Sequence, residues 1–305
     1  MRILITGGAG FIGSHIVDMC VRRGYEVCVV DNLSTGQRGN ILDHIAKEEI
    51  IFHAVDICES QAVEKIFLEF RPEVVFHLAA QINVRAGIEK PSFDAQVNIL
   101  GSLTILEAMR KFRCSRIIFS STGGALFSWG RPPYSEVDTP SPDTPYGISK
   151  LTVERFLDFY ERHYGIASTI LRYSNVYWPR QNVQWEAGVV ALFLDKIHQK
   201  ITPTIFWDGT QTRDFISVFD IVSANFHVLD QNLAGIFHVG TGIEISVNQV
   251  WETLARLTKT TLIPEYWPSL GEILHTSLDA RRLISTGWSP AISFSQGIAS
   301  LVDGK

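Results

Sequence analysis

Short runs of β-branched and aliphatic residues alternate with longer stretches in which apolar positions return every three to four residues, and the alternation holds up to about Ser174. The runs Arg2–Thr6, Glu26–Asp31, Ile50–Val55, Val74–His77, Arg116–Ser120 and Ala167–Arg172 predict strands. Between them, Ser14–Arg23, Gln61–Phe70, Asp94–Lys111 and Tyr146–Tyr164 predict helices. Strand followed by helix, repeated, is the pattern of right-handed crossovers, so the expected fold is α/β with a doubly wound parallel sheet. Beyond Asn175 the texture changes, with Trp178, Pro179 and Trp185, a helix near Ala187–Gln199, and turns at Pro203 and Asp208-Gly209. Phe215–Val218 and Ile236–Val239 predict further strands, and either can rejoin the first sheet. The expected division is 1–174 as one domain, with 211–240 partly rejoining it, and 175–210 plus 241–305 as a smaller, interleaved C-terminal domain.

Composition narrows the partners. Hydrophobic residues at 46% and charged residues at 19% suit a globular chain rather than a disordered or coiled-coil one. Lys plus Arg is 27 against Asp plus Glu at 32, with no block of like charge, so neither nucleic acid nor an anionic membrane is an expected partner. Apolar stretches such as Val189–Leu194 are far shorter than the ~20 residues that cross a bilayer. Met1 is followed directly by a strand-like run rather than a signal-peptide pattern, so a cytoplasmic location is expected. Cys20, Cys28, Cys58 and Cys114 are widely spaced, without a metal-binding pattern, and read as small buried hydrophobes. No metal is expected.

The first candidate chemistry lies in Thr6-Gly7-Gly8-Ala9-Gly10-Phe11-Ile12-Gly13, which follows a predicted strand and opens a predicted helix. Gly7, Gly10 and Gly13 suit a tight turn, close approach of backbone to a pyrophosphate, and close packing of helix on strand. The helix start at Phe11 and Ile12 adds free N–H groups and a partial positive charge. Asp31 ends the second predicted strand, 21 positions after Gly10, where a carboxylate bonds adenosine ribose hydroxyls and repels a 2′-phosphate. With Asn32 next and no base before Arg38, NAD is expected rather than NADP. Asp56 and Ile57 follow the third strand; they either flank adenine or, for Asp56, merely cap the strand.

A second constellation is Tyr146-Gly147-Ile148-Ser149-Lys150, preceded by a capping Thr144 and a first-turn Pro145. Residues four apart share a helix face, so an ammonium at Lys150 stands near the Tyr146 phenol and favours phenolate. That makes Tyr146 a candidate base, although the same spacing also describes an ordinary surface pair. Ser120-Ser121-Thr122 closes the fifth strand at the edge where doubly wound sheets bind ligands. There Thr122 either holds a reacting oxygen beside Tyr146 or simply caps a turn.

Taken together these residues resemble the extended short-chain dehydrogenase/reductases that act on nucleotide sugars, the NAD-dependent epimerase/dehydratase family, and within it the UDP-glucose 4-epimerase type. The resemblance runs over nearly the whole chain, through Gly7-Gly8-Ala9-Gly10-Phe11-Ile12-Gly13, Asp31-Asn32-Leu33-Ser34, His77-Leu78-Ala79-Ala80-Gln81, Ser120-Ser121-Thr122-Gly123-Gly124-Ala125, the Tyr146 segment, Arg172-Tyr173-Ser174-Asn175-Val176-Tyr177 and Asp208-Gly209-Thr210-Gln211-Thr212-Arg213-Asp214. It implies a Rossmann-type sheet with bound NAD. Ala79, Ala80 and Gln81 would line the diphosphate and ribose, with Ser120 on the same side and Asn98 supporting them from the next helix. Thr122 would sit beside the sugar, Tyr146 would be the base, and Lys150 would bind the nicotinamide ribose while tuning the phenol. Tyr173 would lie near the nicotinamide, Asn175 would contact the substrate's phosphate or sugar, and Arg213 would grip a nucleotide phosphate.

Resembling dehydratases place an Asp-Glu pair after the threonine, and decarboxylases place a Glu nearby; here Gly123 and Gly124 supply no acid. The expected activity is therefore C4 epimerisation of a nucleotide-linked hexose. A 4-ketoreductase using NAD(P)H and a non-catalytic NAD-sensing protein are the alternatives. Three departures stand out: Phe127-Ser128-Trp129, Trp178 before Pro179, and Ser269 in Ser269-Leu270-Gly271-Glu272 where the family has an arginine. Arg180 or Arg281 would have to replace that arginine. Thr276 falls where pocket size is gated, and helices Asp94–Lys111 and Tyr146–Tyr164 either pair across a homodimer axis or cover the sheet.

Overall fold

The computed structural model describes residues 1–183, 188–268 and 273–304. Its strands are β1 (Arg2–Thr6), β2 (Glu26–Val30), β3 (Ile50–His53), β4 (Val74–His77), β5 (Arg116–Thr122), β6 (Ala167–Tyr173), β7 (Asn175–Tyr177), β8 (Thr204–Phe206), β9 (Thr212–Ser217), β10 (Gly235–Val239), β11 (Glu244–Ser246), β12 (Glu265–Trp267) and β13 (His275–Thr276). The helices are α1 (Phe11–Arg22), α2 (Leu42–Ala46), α3 (Ser60–Phe70), α4 (Val84–Glu89), α5 (Pro91–Ala95), α6 (Gly101–Phe112), α7 (Pro145–Tyr164), α8 (Val189–Gln199), α9 (Val218–Asp230), α10 (Val247–Thr258), α11 (Arg281–Ile284) and α12 (Phe294–Val302).

Seven strands form one parallel sheet in the order β10-β6-β5-β4-β1-β2-β3. The order reverses between β1 and β4, and a crevice opens there at the carboxyl ends of the strands, the usual ligand position in doubly wound sheets. Alternate side chains feed opposite layers, as a pleated strand requires. Ile3, Ile5, Val27 and Val29 join one core with α1 and α9, while Leu4, Cys28 and Val30 join the other with α3, α6 and α7. A third apolar cluster, around Tyr177, Phe193, Phe215, Trp251 and Ile298, unites the smaller layer above the sheet.

Of the two later strand predictions, Ile236–Val239 rejoins the main sheet as β10, whereas Phe215–Val218 falls at the end of β9, with Val218 already opening α9, and β9 pairs with β7, β11 and β13 in a separate sheet. The predicted helix Asp94–Lys111 is interrupted: a π-helical turn, Gln96–Leu100, separates α5 from α6. Such turns mark positions where a side chain is re-aimed, and this one turns Asn98 toward the backbone of residue 81, described below. Cys20, Cys28 and Cys114 are buried, but Cys58 is only half-buried, because its loop after β3 lies at the cavity rim rather than in the core. Trp185 and Ser269-Leu270-Gly271-Glu272 lie outside the described residues. No helix among the described residues is long and apolar enough to cross a membrane.

Candidate active site

One cavity of about 960 Å³ runs along the crevice, from the glycine-rich loop past the ends of β4, β5 and β6 to α8, β8 and β9. Its wall includes Gly7, Gly10, Phe11, Ile12, Gly13, Asp31, Asn32, Asp56, Ile57, Ala79, Ala80, Ser120, Thr122, Tyr146, Lys150, Tyr173, Asn175 and Arg213. Residues from eight separate parts of the chain therefore meet on one surface. Gln81, Asn98 and Thr276 do not line it.

At the loop, Gly7 adopts φ +70° and a Cβ there would come within 2.7 Å of the Ala79 amide nitrogen. A Cβ on Gly13 would stand 2.1 Å from the Gly7 carbonyl oxygen, so helix and strand touch backbone to backbone. Helix α1 begins at Gly10 without a side-chain cap, leaving its first N–H groups for a ligand. Asp31 accepts the Ala9 amide at 2.9 Å and the Leu33 amide at 2.8 Å. Burial pushes its carboxyl above the usual range, and those two donors hold it back. Asp56 bonds the Cys58 amide and the Asn32 side chain, both at 2.8 Å. Burial opposes its ionisation, but the Cys58 and Asn32 donors prevail and lower it. Asp56 thus caps its turn and faces the cavity at once.

Gln81 and Asn98 act behind the wall. The Asn98 carboxamide receives the Gln81 amide at 2.8 Å and donates to the Gln81 carbonyl at 2.9 Å, which pins the Ala79–Gln81 segment from below. Thr276 is buried opposite Arg213 in the β13–β9 pairing, and its side chain borders Arg213's strand instead of the cavity.

On α7, the Thr144 hydroxyl caps the first turn by accepting the Gly147 amide at 3.2 Å. A Cβ on Gly147 would lie 2.2 Å from the Ala125 carbonyl oxygen, so this turn packs directly on the segment after β5. Lys150 is 3% exposed, donates to the Ser120 carbonyl at 2.8 Å, and places its ammonium 5.8 Å from the Tyr146 ring centroid. Burial lowers its pKa to about 8, opposed by the carboxylates of Asp94 and Glu154. The Thr122 hydroxyl oxygen accepts the Ala125 amide at 3.2 Å, which leaves its proton for another acceptor. Tyr173 is held by Asn225, and burial raises its phenol far above the usual range.

Charge divides the cavity. Among the described wall residues the acids, Asp31 and Asp56, both lie at the glycine-loop end, whereas the cations are Arg85, Lys150, Lys196 and Arg213, the last two at the far end. Arg180, expected as a replacement cation, instead pairs with Asp18 at 3.0 Å and Ser14 at 3.1 Å, and Arg281 pairs with Asp279 at 2.5 Å; neither reaches the wall. Lys196 was not legible as a wall residue. Its only signal is the stripe Val189, Leu192, Phe193 and Lys196, spaced three to four apart along α8. The other departures are absorbed by packing: Phe127 stacks on Tyr134 at 4.5 Å, and Trp178 packs edge-on against Phe219 at 5.1 Å.

A family model described as NAD dependent epimerase/dehydratase family matches residues 3–240. The chain belongs to this family. A UDP-glucose 4-epimerase of Mycolicibacterium smegmatis is 36% identical over 99% of this chain and 98% of its own length. Among solved structures, the UDP-glucose 4-epimerase of Thermotoga maritima with UDP-glucose is 41% identical, covers 99% of this chain and 98% of its own, and superposes with a TM-score of 0.94. That of Thermus thermophilus in complex with NAD is 38% identical, covers 99% and 98%, and superposes with a TM-score of 0.92.

Proposed function

We propose that this protein is an NAD-dependent 4-epimerase of a nucleotide-linked hexose of the UDP-glucose/UDP-galactose type. The observation that carries the reading is that Tyr146, Lys150 and Thr122 open onto the same cavity as the glycine loop at one end and Arg213 with Lys196 at the other. NAD is supported at the first end by the backbone cradle of Gly7 and Gly13, the uncapped start of α1 and the two acceptor oxygens of Asp31. When bound there, NAD would supply an oxidised nicotinamide as the hydride acceptor and donor for C4. Tyr146 takes the C4 hydroxyl proton and later gives it back. The Lys150 ammonium, with only one donor committed to Ser120, stabilises the phenolate. Thr122 donates its free proton to the sugar oxygen, and Asn175 and Arg213 orient the sugar and phosphate.

The turn after Thr122 also supports epimerisation over elimination. Leu278 fills the space beside Gly123, within 2.3 Å of a would-be Cβ, and Gly124 offers none of the acidity that water loss needs. The division of labour follows the chain, with 1–174 and part of 211–240 serving NAD and 175–210 with 241–305 serving the nucleotide sugar. Exposed Ile148 and Phe159 on one face of α7 support a homodimer through that helix, while its other face, with Val153 and Leu157, covers the sheet. Free Cys20, Cys28, Cys58 and Cys114 support a reducing, cytoplasmic setting.

The test is to incubate purified protein with UDP-, GDP- and dTDP-hexoses, add no cofactor, and follow C4 inversion by NMR. Interconversion without net change in reduced-nicotinamide absorbance is expected. Steady consumption of added cofactor in step with product would overturn the reading in favour of a reductase. Two further results are expected. Activity falls as pH rises through about 8, because Lys150 then loses the proton that holds Tyr146 acidic, and the limb is read from kcat against pH. In Asp31→Ala, preference for NAD over NADP shrinks by about tenfold or more, since the acceptor for the ribose hydroxyls and the charge repelling a 2′-phosphate are both lost; cofactor titration of the apoprotein reads this.

A further inference from the structure

Behind Tyr146 and Lys150 runs a buried polar chain that the reaction chemistry leaves unused. Glu154, one turn beyond Lys150 on α7, is 3% exposed, Arg172 on β6 is 2% exposed, and His238 on β10 is fully buried. Arg172 grips both carboxylate oxygens of Glu154, Nε to Oε1 at 3.0 Å and Nη2 to Oε2 at 2.6 Å. Ser121 donates to the same Oε1 at 2.6 Å. The remaining arm of Arg172, Nη1, points at His238 Nε2 at 3.3 Å. A guanidinium only donates, so Nε2 accepts and the imidazole proton sits on Nδ1, which donates to the Tyr134 carbonyl at 2.9 Å. Burial and then the Arg172 charge lower His238 to about 4, which keeps the ring neutral and this tautomer in place.

The chain continues to the segment after β13. The Tyr134 carbonyl also receives the Asp279 amide at 2.7 Å, and the Tyr134 amide donates to the Ser277 carbonyl at 2.9 Å. Leu278, held between them, packs with Leu126, Phe127 and Tyr134 and fills the space beside Gly123. On the other side, consecutive residues of β5 are held by consecutive turns of α7: the Ser120 carbonyl by Lys150 and the Ser121 hydroxyl by Glu154. Thr122 comes next. A strand that slips by one residue turns every side chain to the opposite face, so register at this point decides whether Thr122 faces the cavity at all.

We propose that Glu154 and His238, joined through Arg172, are positioning residues that hold the end of β5 in register with α7, so that Thr122 and Tyr146 meet the same sugar oxygen. Glu154 has a second effect through Lys150. The titratable and charged groups around that ammonium are Asp94 from α5, Glu154 and Tyr146 from α7, and His77 from β4, neutral at a pKa of about 3, with Arg172 of β6 behind Glu154. Asp94 acts on that ammonium more strongly, but it is bonded to Ser149 and Gln81, whereas Glu154 is bonded to Ser121 of β5 and so links the ammonium's surroundings to the strand. The proposal takes its substrate from the 4-epimerase reading, but its geometry stands apart from it.

Glu154→Gln tests it. Expected are a kcat lowered about 10- to 100-fold with the KM for the nucleotide sugar within about threefold, and full NAD content. Loss of the carboxylate also makes Lys150 release its proton more readily, so the alkaline limb of kcat moves to lower pH and the titration of the Tyr146 phenol departs from that of wild type. The phenol is read by phenolate absorbance, wild type minus Tyr146→Phe, without substrate. His238→Gln, which can still accept and donate, is expected to retain more kcat than His238→Phe, and this pair decides the matter if Glu154→Gln does not fold. Wild-type kcat and phenol titration in Glu154→Gln, or a fall in kcat accompanied by a raised KM and lost NAD content, would overturn the proposal. If the wild type interconverts no nucleotide sugar, the functional reading falls while the phenol titration still judges the network.

Discussion

Tyr146→Phe is expected to lower kcat for sugar interconversion by about 10² to 10⁴-fold, the usual worth of a positioned proton-transfer group, while NAD content and the KM for the nucleotide sugar change little. The substitution deletes one oxygen and keeps the ring, so the ring face 5.8 Å from the Lys150 ammonium survives. Neither other phenol on the described wall can take over, since burial raises Tyr177 as it does Tyr173. Tyr173 lines the same cavity, but its hydroxyl is committed to Asn225 and burial keeps it protonated far above neutrality. Steady-state kinetics by NMR, with bound NAD measured after denaturation, would check both halves. Activity within twofold of wild type would place the base elsewhere.

Gly13→Ala is expected to yield protein that no longer retains NAD. The new methyl would lie 2.1 Å from the Gly7 carbonyl oxygen and 2.9 Å from the Gly7 carbonyl carbon and the Gly8 Cα, all backbone atoms with no rotamer to change. Relief requires α1 to swing away from the loop, which carries its free N–H groups off the pyrophosphate position. Losing one or two charge-assisted hydrogen bonds, each worth about 1.5–3 kcal/mol, weakens binding by roughly 10- to 10⁴-fold. Overpacking adds a stability loss of about 1–3 kcal/mol. Gly24→Ala is the control: it has a left-handed φ of +69° but nothing within 4 Å of a Cβ, so it is expected to lose about 1 kcal/mol of stability and leave NAD affinity intact. Calorimetric titration of apoprotein with NAD and thermal melts separate the two effects.

What was legible in the chain is what local spacing encodes. The alternation of Ile3, Leu4 and Ile5 between two cores follows from the pleat alone, and Tyr146 and Lys150 share a helix face because four residues make about one turn. Gly7 and Gly13 announced themselves because only glycine tolerates such contacts. Illegible features depend on partners far away in sequence. Asn98 serves the site by breaking helical regularity to reach a backbone 17 residues back. Arg180 is held by Asp18 and Ser14, more than 160 positions earlier, a pairing that no local spacing encodes. Glu154 is four residues beyond Lys150 on the same face, a spacing that marks the neighbourhood, yet its pairing with Arg172 and Ser121 arises only when three elements converge.

The late return of the chain to add β10 along β6 has a consequence for dissecting the molecule. A fragment stopped at Ser174, which contains every glycine of the loop and the whole tyrosine–lysine pair, would leave the β6 residues Thr169 to Tyr173, which pair with β10, with their amide and carbonyl row bare on one side. Such an unpaired apolar border is a template for strand addition by other molecules. The isolated N-terminal piece is thus expected to precipitate or stack into oligomers on expression, and to remain dispersed when a separate 175–305 fragment is co-produced to supply the missing border strand.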